Sequence, residues 1–364
     1  MNLDTKLQYG KCFELLKRYI TKPVILCGYG VTARLFMGIM AELEIPLLAV
    51  CDKNKAGQAY EYITPGTITT YEALKEINED AIVLITSEKY YEQIRDEVML
   101  YSADSDMLEL EKIKEIYHEI PECFQLPEPY IYRKYLEENN ERLDRVIAHL
   151  KDELSKETLI KVINTRLTWN EEYTKEICVE DMYFIPELQL GKHEVFIDGG
   201  AYDGDTAQIF INKVDGQFEK IYCVEPNEEN HCKLQKVKEE YPDEQIEMIP
   251  MGLSDAVGEV YFSGEEKGYH ISECGSRKMP VTTIDTLELE PTFIKLDIQG
   301  AEMDALKGSI ATIRKCRPKL AVCVYHKMED LLDIAEWLLD LGLDYKLMIR
   351  HHAEDVNDTV LYAI

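Results

Sequence analysis

The sequence lacks the features that mark membrane, secreted and metal-bound chains. No stretch approaches the roughly 20 apolar residues that span a bilayer, and residues 1–4 begin no apolar run of the kind found in signal peptides. The ten cysteines form no C-x-x-C pair, so neither a zinc site nor a disulfide framework is indicated. Cys27, Cys223 and Cys323 lie in apolar runs and are predicted to be core residues in a reducing cytoplasm.

Positive charge is also scarce. The 364 residues include 69 acidic side chains against 40 lysines and arginines, a formal net charge of −29. Such a surface repels phosphate backbones and anionic lipids, so we expect neither nucleic acid nor a membrane as partner. The length suggests about two domains. The sequence leaves open whether the protein forms a homo-oligomer.

Three zones follow one another along the chain. Short apolar runs alternate with helical patterns in residues 1–104, which predicts a small Rossmann-like α/β domain. Residues 105–190 are rich in Glu, Lys and Leu and are predicted to be a helical linker, interrupted by a proline-containing segment at 121–129. Strands and helices alternate again in residues 191–364, which predicts a second, larger α/β domain.

The last zone contains seven strand-like runs. They lie at 195–198, 220–224, 246–249, 293–296, 320–325, 344–349 and 359–364. Only a loop separates the last two, so a helical crossover cannot join them and they should pair antiparallel. A seven-stranded Rossmann-like sheet closed by an antiparallel strand is the arrangement of class I methyltransferases. This is a likeness of fold, which alone does not settle function.

The turn after the first of these strands is the most informative motif. The run ends at Asp198, continues through glycines, and gives way to a helical pattern at Thr206. Glycine lets a ligand approach the backbone closely, and a helix start offers unpaired N–H groups. The negative charge of Asp198 disfavours a pyrophosphate and favours a cationic aminoacyl group. The turn therefore favours S-adenosylmethionine over NAD as the cofactor.

Ionisable side chains recur at the carboxyl ends of the predicted strands. They are Asp198, Glu225, Asp297 and His326. Doubly wound sheets bind ligands at this edge, so we expect these side chains to share a crevice. Glu225 follows Asp198 by about 27 positions, near the offset of about 20 at which an acid binds ribose hydroxyls.

Proton removal is the other requirement of the chemistry, because an alcohol oxygen is a poor nucleophile until a base takes its proton. His326 is the first candidate base, since histidine titrates near neutral pH. Asp297 would orient it or take the proton itself. Lys295 alternates with Asp297 along one strand face and is expected to pair with Asp297 or Glu302.

Simpler interpretations of these residues stay open. His326 could only cap a strand, and Lys295 with Glu302 could be a structural ion pair. A metal ion on Asp297 and His326 is a further alternative. We disfavour it, and predict no metal, because no second close carboxylate accompanies Asp297 in its own motif.

These motifs together resemble the FkbM family of S-adenosylmethionine-dependent methyltransferases. The resemblance covers roughly residues 180–364 and rests on 195–206, 224–226, 283–287, 293–302, Leu306, Gly308, 317–318 and 351–362. One departure is Gln299, where the family usually has glutamate before the glycine. The neighbouring Lys295, Asp297 and Glu302 are retained.

The resemblance implies an O-methyltransferase that acts on a hydroxyl of a sugar, a polysaccharide precursor or a natural product. The implied cofactor-binding residues are Asp198, Gly199, Gly200, Tyr202, Asp203, Thr206, Glu225, Pro226, Ser254 and Asp297. The implied catalytic residues are His326, Asp297, Lys295 and Glu302. Glu225 would hold the ribose, Gly204 would help shape the methionine pocket, and 252–255 would be the adenine-side loop.

Other segments near the site carry no readable acceptor code. Tyr183 lies in an aromatic segment like one that precedes the first strand in the family, where it covers the cofactor or packs in the core. Segments 163–190 and 263–280 are expected to build the acceptor pocket. His351 and His352 are placed on the last hairpin loop, at the surface or toward the acceptor.

The first zone has a glycine turn of its own. Gly28 and Gly30 follow an apolar run in a G-x-G-x-x-A pattern, and Asp52 ends the next strand about 24 positions later. The pattern supports an NAD-dependent oxidoreductase as an alternative function. Only about three strands are evident, so we favour a degenerate or mononucleotide-type module that helps to hold a nucleotide-linked acceptor such as a nucleotide sugar. A non-catalytic cofactor-binding scaffold is the third hypothesis.

Overall fold

The computed structural model describes residues 8–60, 62–77, 80–102, 106–120, 129–241, 245–263, 270–271 and 277–364. Two compact units divide the chain, one reaching Asn140 and including Ile163–Tyr173, the other comprising Glu141–Val162 and Thr174–Ile364. The α/β class is confirmed. The segment predicted as a linker is thus distributed between both units, and most of its proline-containing stretch lies outside the described residues.

The first unit is built on a parallel sheet. Its helices are α1 (Lys11–Tyr19), α2 (Val31–Glu42), α3 (Tyr91–Met99), α4 (Leu110–His118) and α5 (Pro129–Glu138). Its strands are β1 (Val24–Cys27), β2 (Leu47–Cys51), β3 (Ala59–Tyr60), β4 (Gly66–Thr67), β5 (Ile82–Ile85) and β6 (Asp106–Met107). The parallel sheet has the order β2-β1-β5-β6, and β3 pairs with β4 in a separate hairpin.

The strand order locates a crevice in this unit. β1 and β5 are apolar and fully buried, as expected for central strands of a parallel sheet. The chain leaves β1 toward β2 on one side and returns to β5 on the other. The carboxyl ends of β1 and β5 therefore form a topological switch point, where doubly wound sheets bind ligands. The three predicted strands are confirmed, and β6 is an addition.

The rest of the chain runs through α6 (Asn140–His149), α7 (Glu153–Thr168) and α8 (Glu172–Lys175) into the larger α/β fold. The further helices are α9 (Asp205–Lys213), α10 (Glu228–Glu239), α11 (Glu302–Lys307), α12 (Ile310–Cys316) and α13 (Asp330–Asp340). The strands are β7 (Val195–Gly199), β8 (Lys220–Val224), β9 (Ile246–Ile249), β10 (Gly252–Leu253), β11 (Gly258–Ser263), β12 (His270–Ile271), β13 (Arg277–Thr282), β14 (Phe293–Leu296), β15 (Lys319–Cys323), β16 (Leu347–His351) and β17 (Thr359–Ala363).

The larger sheet has the order β16-β17-β15-β14-β7-β8-β9. β17 is antiparallel to both of its neighbours, whereas the other pairs are parallel. The predicted class I methyltransferase arrangement is thereby confirmed. In the register of β7 and β14, Asp198 lies opposite Lys295.

A smaller sheet, in the order β10-β13-β11-β12, was not predicted. Its strands β11 and β13 cover 258–263 and 277–282, so the end of the predicted acceptor segment 263–280 is a strand and not a loop. Most of that segment lies outside the described residues. In β13, buried Met279 and Val281 alternate with exposed Lys278 and Pro280, a half-exposed pattern without an apolar run.

Aromatic packing holds the centre of the second unit. The rings of Phe196 and Phe293 stack 4.9 Å apart, and Phe184 contacts both. His351 is the last residue of β16, fully buried, with Nδ1 2.9 Å from Thr359 Oγ1. His352 Nε2 lies 2.9 Å from Tyr362 Oη. The expected place on the hairpin loop, at the surface or toward the acceptor, was wrong for His351, because β16 extends two residues further than the sequence suggested, whereas the half-buried His352 follows the strand.

Ion pairs join α6 to α13 and the residues after α6 to β16. Arg142 of α6 contacts Asp333 and Glu336 of α13 at 2.5 and 2.6 Å. Arg350 pairs with Asp152 at 2.9 Å. No helix within the described ranges combines the length and apolar character needed to cross a membrane.

Candidate functional site

The glycine turn after β7 packs directly on the end of β14. Gly200 has a φ of +77°, and a Cβ there would lie 1.9 Å from the carbonyl oxygen of Asp297. Gly204, at +91°, precedes α9, and a Cβ there would lie 2.9 Å from Val237. Glycine is required at both positions, because any side chain would push the turn away from its neighbours.

A buried ion pair lies beneath this turn. Lys295 Nζ is 3.0 Å from Asp198 Oδ1, and the two side chains are 2% and 0% exposed. Lys295 also donates to the carbonyl of Gly200 at 2.8 Å. The expected pairing of Lys295 with Glu302 or Asp297 was wrong as a direct contact, because the register of β7 and β14 places Asp198 opposite the amine.

Burial dominates the electrostatics of Asp198. It raises the pKa of the carboxyl to about 6, and the nearby Lys295 amine offsets only part of that shift. Burial would also lower the pKa of Lys295, but Asp198 and Asp297 outweigh it and the pKa is raised. Asp198 Oδ1 has the ion-pair contact with Lys295, and Oδ2 has no hydrogen-bond partner in the described structure. A buried carboxylate oxygen without a donor favours a ligand that brings one.

Glu225 is held at the end of β8 by donors from the surrounding backbone. Its oxygens accept from Tyr202 N at 3.0 Å and Asn227 N at 2.8 Å, and Asn230 Nδ2 lies 3.3 Å away. Burial raises the pKa of this carboxyl, although these donors oppose the shift. Glu225 therefore points to the glycine turn, and Pro226 follows directly.

The other predicted cofactor residues lie around the turn. Tyr202 has a left-handed φ of +45°, and its ring is 5.1 Å from Lys233 Nζ, which also lies 3.6 Å from Asp203. Thr206 is in the first turn of α9, where its N–H donates to Asp205. Ser254 follows Leu253, whose side chain lies 3.0 Å from where a Cβ on Gly199 would be. The 252–255 loop therefore borders the turn.

A second cluster lies at the ends of β14 and β15. His326 Nδ1 is 2.9 Å from Glu302 Oε1, and His326 Nε2 is 3.5 Å from Asp297 Oδ1. Glu302 is fully buried and accepts from Ile298 N at 2.8 Å. Glu302 Oε2 and both ring nitrogens of His326 have no aligned hydrogen-bond partner among the described residues, so the contact of Nδ1 with Glu302 is an ion-pair contact. Asp297, 20% exposed, is the open side of the cluster.

Charge around His326 decides its protonation. Burial alone would lower the pKa of the imidazole, but Glu302, Asp297 and Asp330 outweigh it, so the pKa is raised above 6.5. Burial, with the charge of Glu302, also raises the pKa of Asp330 to about 7. Burial and Asp297 raise that of Asp358 to about 6. The imidazole therefore sits in a strongly acidic pocket.

Two tyrosines that the sequence did not assign to catalysis contact Asp297. Tyr183 donates its hydroxyl to Oδ2 at 2.6 Å, and Tyr325 donates to Oδ1 at 3.4 Å. The ring of Tyr325 also lies 4.1 Å from that of His326. Tyr183 precedes Asp297 by 114 residues, so no local pattern signals the contact. Tyr325 adjoins His326, but tyrosine after a strand is too common to indicate a role.

The structure places a second carboxylate, Glu302, near Asp297, which the sequence motif alone did not indicate. A left-handed turn at Gln299 and Gly300 folds the start of α11 back, so Glu302 becomes a second carboxylate beside Asp297. Asp297, Glu302 and His326 each offer one potential ligand atom within 4.8 Å of the others. Carboxylate oxygens and imidazole are common ligands of divalent cations.

Comparison with known families gives a match within the second unit. The family model described as Methyltransferase FkbM domain matches residues 198–346. The match begins at Asp198 and contains Glu225, Asp297 and His326. The predicted resemblance is confirmed for this region, and the match indicates a methyltransferase. No curated protein shows significant similarity to the chain.

One solved structure shares the fold of the chain. A methyltransferase FkbM from Methylobacillus flagellatus KT is 24% identical, covers 99% of this chain and 96% of its own, and superposes with a TM-score of 0.61. Fibrillarin from Aeropyrum pernix, with natively bound S-adenosyl-L-methionine, is 14% identical over 48% of this chain and 69% of its own, with a TM-score of 0.32. The first likeness extends over both units.

Proposed function

We propose that the second unit, whose residues 198–346 match the FkbM methyltransferase domain, transfers a methyl group from S-adenosylmethionine to a hydroxyl. The acceptor is a sugar, a polysaccharide precursor or a natural product. The observation that carries the proposal is the fully buried carboxylate of Asp198, whose Oδ1 meets Lys295 and whose Oδ2 has no hydrogen-bond donor in the described structure. The α-ammonium group of the cofactor is a donor of the right charge for that position.

The residues around the turn suit the rest of this cofactor. Gly200 and Gly204 leave the backbone bare where side chains would collide with their neighbours. Glu225 is held toward the turn by Tyr202 and Asn227, with lone pairs left for two ribose hydroxyls. When bound here, S-adenosylmethionine supplies an electrophilic methyl group on a sulfonium ion.

His326 is the base that we propose for the acceptor hydroxyl. The negative charge of Glu302 beside Nδ1 favours the proton on that nitrogen, which leaves the Nε2 lone pair facing Asp297. Nε2 has no hydrogen-bond partner in the described structure, so it is available to accept the hydroxyl proton. The acceptor oxygen gains nucleophilicity as that proton moves to Nε2.

The remaining members of the predicted catalytic set act by positioning. Asp297, fixed by the hydroxyls of Tyr183 and Tyr325, lies beside Nε2 and would align the acceptor hydroxyl or stabilise the imidazolium. Lys295 holds the Asp198 carboxylate and the Gly200 carbonyl from below the turn. We therefore assign Lys295 to the shape of the cofactor site and not to proton transfer.

A reducing compartment, the cytoplasm, completes the proposal. The eight cysteines in the described ranges are all free, and Cys27, Cys223 and Cys323 are buried in strands as predicted. Intracellular reductants keep such thiols unpaired.

Isothermal titration of S-adenosylhomocysteine into the wild type, Glu225→Gln and Asp52→Asn tests this assignment. The two variants change the acid at corresponding places in the two units. We expect binding to the wild type and to Asp52→Asn, and weakened binding to Glu225→Gln, whose folding is checked by thermal melting. Absence of binding to the wild type, or loss only in Asp52→Asn, would reject the proposed site.

A further inference from the structure

The first unit contains a cavity that the methyl-transfer chemistry does not use. Its volume is about 670 Å³, and its lining includes Gly28, Gly30, Asp52, Lys89 and Tyr90. It lies at the carboxyl ends of β1, β2 and β5, which is the switch point of this sheet. Its size is that of a small-molecule site.

Basic side chains slightly outnumber acidic ones in the lining of this cavity, although the chain as a whole is strongly acidic. It carries the lysines Lys53, Lys55 and Lys89 against the acids Asp52 and Glu88. Glu88 is paired with Lys114 at 2.8 Å, and Lys53 with Glu97 at 2.5 Å. These pairs neutralise one lysine and one acid of the lining. The other lysines, Lys55 and Lys89, remain to attract an anion into the cavity.

The carboxylate of Asp52 is occupied by hydrogen bonds from backbone N–H groups. Its oxygens accept from Tyr29 N at 2.9 Å, Asn54 N at 2.8 Å and Lys55 N at 3.2 Å. The amine of Lys55 lies over the glycine turn, 2.5 Å from the carbonyl oxygen of Tyr29. Lys89 contacts the ring of Tyr90 at 5.2 Å and has no carboxylate partner in the described part of the chain. The cavity therefore presents a cation to its contents.

The glycine turn opens this cavity toward the start of a helix. α2 begins after Gly30, and no side chain caps its first amides. No described atom lies within 4 Å of where a Cβ on Gly30 would be, so space adjoins these N–H groups. Tyr90, 51% exposed, presents an aromatic face at the edge of the cavity. Amides with a nearby lysine suit phosphate groups, and an aromatic ring suits a nucleobase.

We propose that the first unit binds a nucleoside diphosphate, with its phosphates at the Gly28–Gly30 turn and Lys89 and its base against Tyr90. The single set of strands β2-β1-β5-β6 provides one nucleotide half-site, whereas a dinucleotide fold joins two. The ligand is therefore a mononucleotide or a conjugate of one, and not NAD. This site is independent of the methyl-transfer site in chemistry and in sequence.

The test is isothermal titration of ADP, UDP and GDP into the full chain, with Gly30→Asp and Gly30→Ser as variants. Both substitutions supply a residue that favours a helix start, so neither is expected to impair folding. Gly30→Asp adds a negative charge where the phosphates lie and should weaken binding by about tenfold or more. Gly30→Ser adds a side chain of similar size without the charge, so it should weaken binding less than Gly30→Asp does.

Three outcomes would overturn the proposal. They are no binding of any of the three diphosphates to the wild type, equal binding by Gly30→Asp and the wild type, and binding of NAD in place of the diphosphates. S-adenosylhomocysteine titrated into the same samples reports on the second unit. Its binding is expected to be unchanged in both variants, so a failure here is distinguishable from a failure of the proposed methyltransferase.

Discussion

The two units use the same backbone device at their glycine turns. In the first, Asp52 accepts from Tyr29 N at 2.9 Å and from Asn54 N at 2.8 Å. In the second, Glu225 accepts from Tyr202 N at 3.0 Å and from Asn227 N at 2.8 Å. In both units, the carboxylate at the end of the second strand accepts two backbone hydrogen bonds. One comes from the turn after the first strand, and the other from the N–H two residues beyond the acid itself.

The difference lies beneath the turns. Cys27 ends the first strand of the first unit and faces Ile85 across the sheet, whereas the second unit has Asp198 facing Lys295 in the same register. The lining around the first turn includes Lys89, which has no carboxylate partner among the described residues, and beneath the second turn Asp198 Oδ2 lacks a hydrogen-bond donor. The same turn can thus suit ligands of opposite charge, because the residues below and around it set the local potential.

The largest effect is expected when Lys295, which pairs with Asp198 in the second unit, is replaced by the residue type at the corresponding position of the first unit, Ile85. Lys295→Ile should lower the free energy of unfolding by about 3–5 kcal/mol, because Asp198 is left as a buried charge without a partner. The double variant Asp198→Cys with Lys295→Ile, which copies Cys27 and Ile85, should recover much of that loss. Urea denaturation measures both. A single variant as stable as the double would show that the ion pair has little coupling.

A smaller effect is expected when the negative charge of Asp198 is removed and the shape of its side chain is kept. Asp198→Asn should weaken binding of S-adenosylhomocysteine by about 10- to 100-fold, because a charged hydrogen bond to the ligand becomes a neutral one. Calorimetric titration measures the affinity, and thermal melting confirms that the variant is folded. The matched control is Lys112→Ala on the surface of the first unit, which should leave the affinity unchanged. Wild-type affinity in Asp198→Asn would mean that this carboxylate does not contact the cofactor.

The strand ends of both units could be predicted from the sequence. Asp198, Glu225 and Asp297 each follow a short apolar run, and a polar residue at that place marks the ligand-binding edge of a parallel sheet. The seven strands and the antiparallel closure follow from the same runs and from the short last connection. The small sheet of β10–β13 was missed because its strands are half exposed and contain glycine, proline and charged residues.

The contacts among the site residues could not be predicted, because they depend on which strands become neighbours and where turns fold back. Lys295 meets Asp198 only because β7 and β14 are adjacent in the sheet. Glu302 reaches His326 only because Gln299 and Gly300 adopt left-handed conformations, with φ of +56° and +92°. A glutamine gives no sequence signal for such a turn.

The two units also differ in whether their sites contain a histidine that titrates near neutral pH. The described lining of the first cavity contains none. His326 must be neutral to accept a proton, and its pKa is raised. The kcat/KM for methyl transfer should therefore rise with pH through a value above 6.5. Glu302→Gln removes a neighbouring negative charge, which lowers the pKa of His326 and should move this limb to lower pH. A merely structural role for Glu302 would lower activity without moving the limb.

EDTA should leave the pH profile of kcat/KM unchanged. Activity that is lost in EDTA and restored by Mg²⁺ would instead assign Asp297, Glu302 and His326 to a metal ion.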